Sequence, residues 1–316
     1  MRFSPAPMHI PDGFLSFPTA VLAWAMAILM IGFALRKVNK TLDERKIPWM
    51  GVLAAAIFAG QMLNFSVTGG TSGHLLGAAL AAILLGPWPA VLVMTAVVGV
   101  QALLFQDGGL LAMGANLLNM AVIGVWVAYA AYSSGRRILG NSPRARAVFA
   151  FAAAWTSIFI AALACALELG LSGTTPIRLA LPAMGGIHAL IGIGEGLLTT
   201  GALAFISSAR PDLLEQPHAA APAGRTVWVG GLMIAALLVV LAPLASVRPD
   251  GLEWVAERLN FLTAASRPGY TLFPDYAIPG VSNAALSTIL AGTVGLLAVL
   301  IVSKLMTLRR QRTGRE

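Results

Sequence analysis

Charge is scarce in this chain: Asp, Glu, Lys and Arg make up 11% of its 316 residues, against about 25% in soluble domains. That excludes a soluble fold. Cysteine is nearly absent, and Cys165, the single copy, lies in an apolar run; there can be no internal disulfide and no paired-cysteine metal site. Neither the H-E-x-x-H pattern of zinc proteases nor the G-x-x-x-x-G-K-[ST] loop of ATPases occurs. The chain therefore lacks the residues to hydrolyse ATP itself. Histidine is limited to four residues, so the position of each carries information.

Hydrophobic residues fill the space left by charge, at 58%, with a mean hydropathy of +0.81. Apolar stretches long enough to cross a bilayer are expected near residues 16–35, 49–67, 73–86, 88–105, 109–133, 147–170, 183–207, 226–246 and 284–305. The fold class expected is an all-α polytopic membrane protein, with seven helices in a first bundle and two further transmembrane helices. The third stretch is short and is expected to be tilted, kinked or covered by its neighbours.

The net charge of +8 could suggest nucleic acid, but the basic residues fall in short clusters between apolar stretches. Arg36, Lys37, Lys40, Arg45 and Lys46 follow the first stretch, and Arg136, Arg137, Arg144 and Arg146 the fifth. Arg210 and Arg225 follow the seventh, and Lys304, Arg309, Arg310, Arg312 and Arg315 close the chain. With nine spans these all lie on one side, the cytoplasmic one by the positive-inside rule, and only Arg2, Arg178, Arg248, Arg258 and Arg267 lie outside. The N-terminus is thus expected outside and the C-terminus in the cytoplasm of a cell-membrane protein. Residues 208–225, rich in Pro and Ala and containing His218, read as a cytoplasmic linker between modules 8–207 and 226–316. The second module includes an outer loop over about 247–283.

This topology sets two histidines at one membrane face. His9 lies in Met8-His9-Ile10-Pro11-Asp12-Gly13-Phe14-Leu15-Ser16 and His74 in Gly73-His74-Leu75-Leu76-Gly77. If translation starts at Met8, its free amine and the His9 backbone nitrogen close a five-membered chelate ring on a metal ion. The same backbone nitrogen and His9 Nδ1 close a six-membered ring. Three coplanar nitrogens result, and the His74 imidazole is the candidate fourth. Square-planar nitrogen sets select Ni(II) or Cu(II), with Co(II) a weaker fit, and binding should weaken in acid because the ligands must be deprotonated. A histidine near a helix end also serves as a plain interfacial hydrogen-bonding residue, and the glycines beside His74 can serve a tight turn.

These motifs resemble the NikM/CbiM family, the metal-binding S components of energy-coupling-factor (ECF) nickel and cobalt importers. So do Gln61-Met62-Leu63-Asn64-Phe65, the stretch Gln101 to Gly109, Gly114-Ala115-Asn116-Leu117-Leu118-Asn119-Met120 and His188 to Gly196. Pro249-Asp250-Gly251-Leu252-Glu253 resembles the signature of the small PDGLE accessory component. The resemblance implies Ni(II) as transported substrate, with Co(II) for cobalamin synthesis as the alternative. It also implies Met8, His9 and His74 as ligands, and a transmembrane coupling (T) subunit and ATPase (A) subunits as partners. By the same resemblance Ala23-x-x-x-Ala27 would face the coupling subunit. One departure matters: the family pattern begins at the methionine, whereas Met1 to Pro7 precede it here. Met8 is accordingly expected to be the physiological start.

Other polar residues lie within apolar stretches. Glu195 is mid-span, where an ionisable side chain costs about 2.5–3.5 kcal/mol, so it needs a partner or a polar cavity. His188, seven residues earlier, shares its helix face; the two read as a support to the site, a coupling contact or a structural network. Glu168 is expected to snorkel or cap a helix end. Asn64, Gln101, Asn116 and Asn119 read as helix–helix glue, with Asn64 and Asp107, at the outer ends of their spans, the candidates for supporting the ligands. Two other classes of function remain: a haem-b anchor using His74 and His188, and an intramembrane enzyme using Ser72 beside His74, which has no evident orienting carboxylate.

Overall fold

The computed structural model describes residues 8–43, 46–140, 142–210, 225–266 and 269–307, with the side chains of 225–227 excepted. Met1 to Pro7, the basic residues Arg45, Arg267, Arg309, Arg310, Arg312 and Arg315, and most of the expected linker with His218 lie outside the described residues.

Helices occupy all nine apolar stretches. In chain order they are α1 (Phe17–Thr41), α2 (Ile47–Gln61), α3 (Ala78–Leu85), α4 (Pro87–Phe105), α5 (Met113–Leu139), α6 (Pro143–Leu171), α7 (Ile177–Ala209) and α8 (Arg225–Leu241). After them come the short α9 (Gly251–Arg258) of the loop between α8 and the last helix, and that helix itself, α10 (Ala284–Thr307). Six of these are long and apolar enough to cross a membrane, and the protein is a multi-pass membrane protein. Local signals set the ends. Proline occupies the first turn of α1, α2, α4 and α6, where its missing N–H has no helical partner to lose. The Ser142 hydroxyl caps α6 by accepting from Ala145 N.

The second and third stretches depart from expectation. Helix α2 stops at Gln61, and Phe65–Val67 pairs antiparallel with Thr71–Gly73 as a small hairpin, β1 and β2, turning through Gly69 and Gly70. Helix α3 has only eight residues. Residues 74–77 before it are in neither helix nor strand, and Gly77 enters the helix with φ +78°, a conformation open to glycine. A helix this short cannot span a bilayer, and it is buried along most of its length.

Helices α2, α3 and α4 form the centre, buried nearly all round. Around them α1, α6, α7, α8 and α10 each leave an apolar face exposed, as expected where lipid is the solvent. Ala20, Ala23, Ala27 and Ala34 of α1 are buried within this chain, on the side of α4 and α5, while Phe17, Leu22, Leu29 and Phe33 are exposed. The alanine stripe is therefore a packing surface of the chain itself and is not open to a coupling subunit. Helices α8 and α10 pack on α2, so closely that a Cβ on Gly231 would lie 2.2 Å from Val52 and one on Gly295 2.1 Å from Phe58.

Candidate metal centre

Most of the candidate site residues gather where the 8–16 segment, the β2–α3 connection, the loop after α4 and the α8–α10 loop meet. A cavity of about 80 Å³ there is lined by Met8, His9, His74, Asn116, Asn119 and His188, among others. Such a volume does not seat a porphyrin, since ligand pockets run to about 300–1,000 Å³, so the haem reading fails.

The N-terminal segment is fixed residue by residue. Asn116 holds both backbone polar groups of one residue: Ile10 N donates to its Oδ1 at 3.0 Å, and its Nδ2 donates to Ile10 O at 3.1 Å. The Asp12 carboxylate accepts from Leu110 N and Ala112 N at 3.0 and 2.9 Å. Thr174 donates to Phe14 O. Asn116 ends the first turn of α5, and residues 117–123 then run as a π-helix before the α-helical register resumes. Such interruptions recur at functional sites because they re-aim side chains. Here the π turn carries Asn119, which lines the same cavity and donates to Glu168 Oε2 at 2.7 Å. Glu168 is buried in that pair and does not snorkel.

Two nitrogens of the expected chelate aim at one atom. Met8 N donates to Asp107 Oδ1 at 2.6 Å, and His9 Nδ1 lies 2.9 Å from that same oxygen. The carboxylate is fully buried, which by itself would raise its pKa, but the His9 ring, Met8 N–H and the Tyr276 hydroxyl outweigh burial and hold it below its ordinary value. His9 Nε2 is buried without a hydrogen-bond partner. The His74 ring stands edge-on to that of His9, with centroids 6.0 Å apart, and its Nδ1 bonds Leu75 O at 3.0 Å. Burial, then the neighbouring His9, lowers the His74 pKa to about 4. Its imidazole is consequently neutral at physiological pH, the form a metal requires.

Helix α7 positions the His74 segment from the other side. The Glu195 carboxylate accepts from Leu76 N at 2.7 Å and Gly77 N at 3.1 Å, which answers how a carboxylate is tolerated mid-span. His188, about two turns earlier on the same helix, lines the cavity, with Nδ1 on Met184 O. Asn64 is not brought to the cavity; its backbone oxygen accepts from Ser246 N. Ser72 donates to Arg248 O and Pro249 O, so it is a strut and not a nucleophile. Among the described residues no three His, Cys, Asp or Glu side chains come together as a metal cluster.

Sequence reasoning missed Asp12 and Tyr276 and read Asn116 as helix–helix glue, whereas its amide holds the Ile10 backbone. Asn116 and Asp12 stand in motifs already singled out, but their partners lie about a hundred residues away along the chain.

A family model described as the cobalt uptake substrate-specific transmembrane region (CbiM) matches residues 9–213, and a PDGLE domain model matches 225–312. A putative fused nickel transport protein NikMN of Archaeoglobus fulgidus is 37% identical over 97% of this chain and 100% of its own length. The fused nickel transport protein NikMN of Rhodobacter capsulatus is 34% identical over 91% of this chain and 94% of its own. The cobalt transport protein CbiM of Sorangium cellulosum is 32% identical over 66% of this chain and 95% of its own. The crystal structure of a truncated transition metal transporter superposes with a TM-score of 0.57 at 36% identity, covering 64% of this chain and 99% of the other.

Proposed function

This chain belongs to the CbiM family and carries a PDGLE domain behind it; it is a nickel/cobalt transport membrane protein and not an enzyme; on that premise we propose that it captures Ni(II) through the Met8 amine, the His9 backbone nitrogen, His9 Nδ1 and the His74 imidazole. The observation that carries the reading is the convergence of Met8 N and His9 Nδ1 on a single point, now held by Asp107 Oδ1, beside the His74 ring. Nickel entry displaces protons from the Met8 amine and the His9 nitrogens, meets the His74 imidazole already neutral, and moves the Asp107 oxygen aside. The carboxylate then remains as counter-charge behind the ion. Residues 8–207 act as the S component and 226–316 as the accessory component. The site faces outward, and a coupling subunit with separate ATPase subunits supplies the energy in an ECF complex that reorients the S component.

Nickel rather than cobalt follows from the donor set, since four nitrogens in a plane suit Ni(II) better than Co(II). Calorimetric titration of protein begun at Met8 is expected to give nickel at least about tenfold tighter than cobalt, a gap within the Irving–Williams trend. Equal affinities, or tighter cobalt, would favour the cobalt branch. Uptake of nickel by cells expressing the chain with its coupling and ATPase subunits tests the transport role, and no uptake above cells lacking the chain would refute it.

Asn116→Ala is expected to retain the fold and lose nickel more readily. It strips both Ile10 backbone groups of their partner, and buried polar groups left unpaired cost about 1–3 kcal/mol each. A chelator-challenge assay should show nickel released about tenfold or more faster. Unchanged release would mean that Ile10 is held by other contacts.

A further inference from the structure

The second module reaches the candidate metal centre at two points, and one of them touches the residue on which the ligand nitrogens converge. The first contact is made by the PDGLE signature. Pro249 O accepts from Ser72 N at 2.8 Å and from Thr71 Oγ1 at 3.0 Å, binding the signature to β2 just ahead of His74. Asp250 caps α9 by accepting from Glu253 N, and a Cβ on Gly251 would lie 2.7 Å from His188 Cε1, so a larger residue there would press on His188.

The second contact is Tyr276. The segment before it runs along the end of α4: Tyr270 donates to Leu103 O, Leu272 N to Gln106 Oε1, and Phe273 N to Leu104 O. Asp275 and Tyr276 then take φ of +53° and +55°, two successive non-glycine residues in the left-handed region. Such backbone persists only where its surroundings impose it, and it clusters at functional sites. What it achieves here is to drive a tyrosine from the α8–α10 loop into the first module. The Tyr276 side chain is fully buried, stacks on Phe105 with ring centroids 4.5 Å apart, and donates to Asp107 Oδ2 at 2.7 Å.

We propose that Tyr276 is a positioning residue for metal capture: by holding Asp107 Oδ2 it presents Oδ1 to Met8 N and His9 Nδ1 and keeps the ligand arm in binding register. Asp107 accepts on one oxygen from the second module and on the other from the N-terminal arm. Its carboxylate therefore cannot turn without releasing one of them. Without the hydroxyl the carboxylate is free to rotate, and the arm must be ordered at the moment the ion arrives. This role rests on the nickel-capture reading and adds to it a residue from the fused domain that never touches the ion.

The test uses full chain begun at Met8, Ni(II) chloride as probe, and four proteins: wild type, Tyr276→Phe, Asp107→Asn and the double variant. Phenylalanine keeps the stacking on Phe105 and removes only the hydroxyl. Tyr276→Phe is expected to bind nickel about tenfold more weakly, the scale of a hydrogen bond to a charged group. The visible absorption of its nickel-loaded form should match that of wild type, because the four nitrogens are unchanged. Asp107→Asn should bind more weakly than wild type, and adding Tyr276→Phe to it should change the affinity less than about twofold, as expected when two residues act through one contact. Equal affinity of Tyr276→Phe and wild type would overturn the proposal. So would a tenfold loss that persists in the Asp107→Asn background, which marks a general structural effect, or an Asp107→Asn protein that binds no nickel, which would make Asp107 a ligand. Wild type that binds no nickel would defeat the capture reading itself; wild type that binds while Tyr276→Phe is unaltered defeats only the positioning role.

Discussion

A chain that retains Met1 to Pro7 is expected to bind nickel more than about a hundredfold less tightly than one begun at Met8. Perturbing a residue that merely supports a ligand already costs 10–100-fold, and here a ligand itself is lost. With Pro7 in place, the Met8 nitrogen is a peptide amide. Its lone pair is delocalised into the carbonyl, and it becomes a donor only on giving up a far less acidic proton than an ammonium does. The five-membered ring then has no strong donor at its end. Asp107 would still accept from that N–H, as the 2.6 Å contact shows for the full chain, so the arm would dock yet bind poorly. The comparison needs two proteins that differ only in their first residues, titrated side by side. Indistinguishable affinities would remove the terminal amine from the site.

His9→Ala is expected to have the largest effect of any single side-chain change, and His74→Ala the next. The first removes the six-membered ring and leaves the amine, the backbone nitrogen and the His74 imidazole to hold the ion on a single chelate ring. The second leaves three nitrogens in place and a fourth position that water can fill. Nickel retained through gel filtration should fall to background for His9→Ala, with a loss above about a hundredfold in affinity for both. His188→Ala serves as the control, for its ring lines the same cavity with Nδ1 engaged on its own helix. It should still load nickel. Nickel retained by His9→Ala at the wild-type level would place the ion elsewhere.

How far the sequence foretold this molecule depended on the range of the contacts. Apolar runs located all nine membrane-associated helices, because burial in lipid needs only composition and length. Hydropathy could not see that the second run breaks after Gln61, since Phe65 and Val67 are as apolar in a hairpin as in a helix. Nor could it see that Gly77 delays the third helix to Ala78. Glu195 was legible as a residue needing partners, but those partners are backbone N–H groups of Leu76 and Gly77, more than a hundred residues away. The π-helical turn at 117–123 left no mark in composition. Alanines at 23 and 27 read as an outward stripe, whereas they are consumed by internal packing. Met8, His9 and His74 were singled out through chain chemistry and motif, whereas the contacts of Asn116, Asp12 and Tyr276 required the fold, which joins residues 99 to 169 positions apart around Asp107.

The claim at the centre of this account is that a terminal amine, one backbone nitrogen and two imidazoles surround the ion in a plane. Nickel K-edge X-ray absorption of the Met8-initiated protein, loaded with one equivalent, reads that geometry directly. The account predicts a four-coordinate shell of nitrogen with the pre-edge signature of a square plane, lost in His9→Ala. A six-coordinate shell of mixed nitrogen and oxygen in the wild-type protein would contradict it.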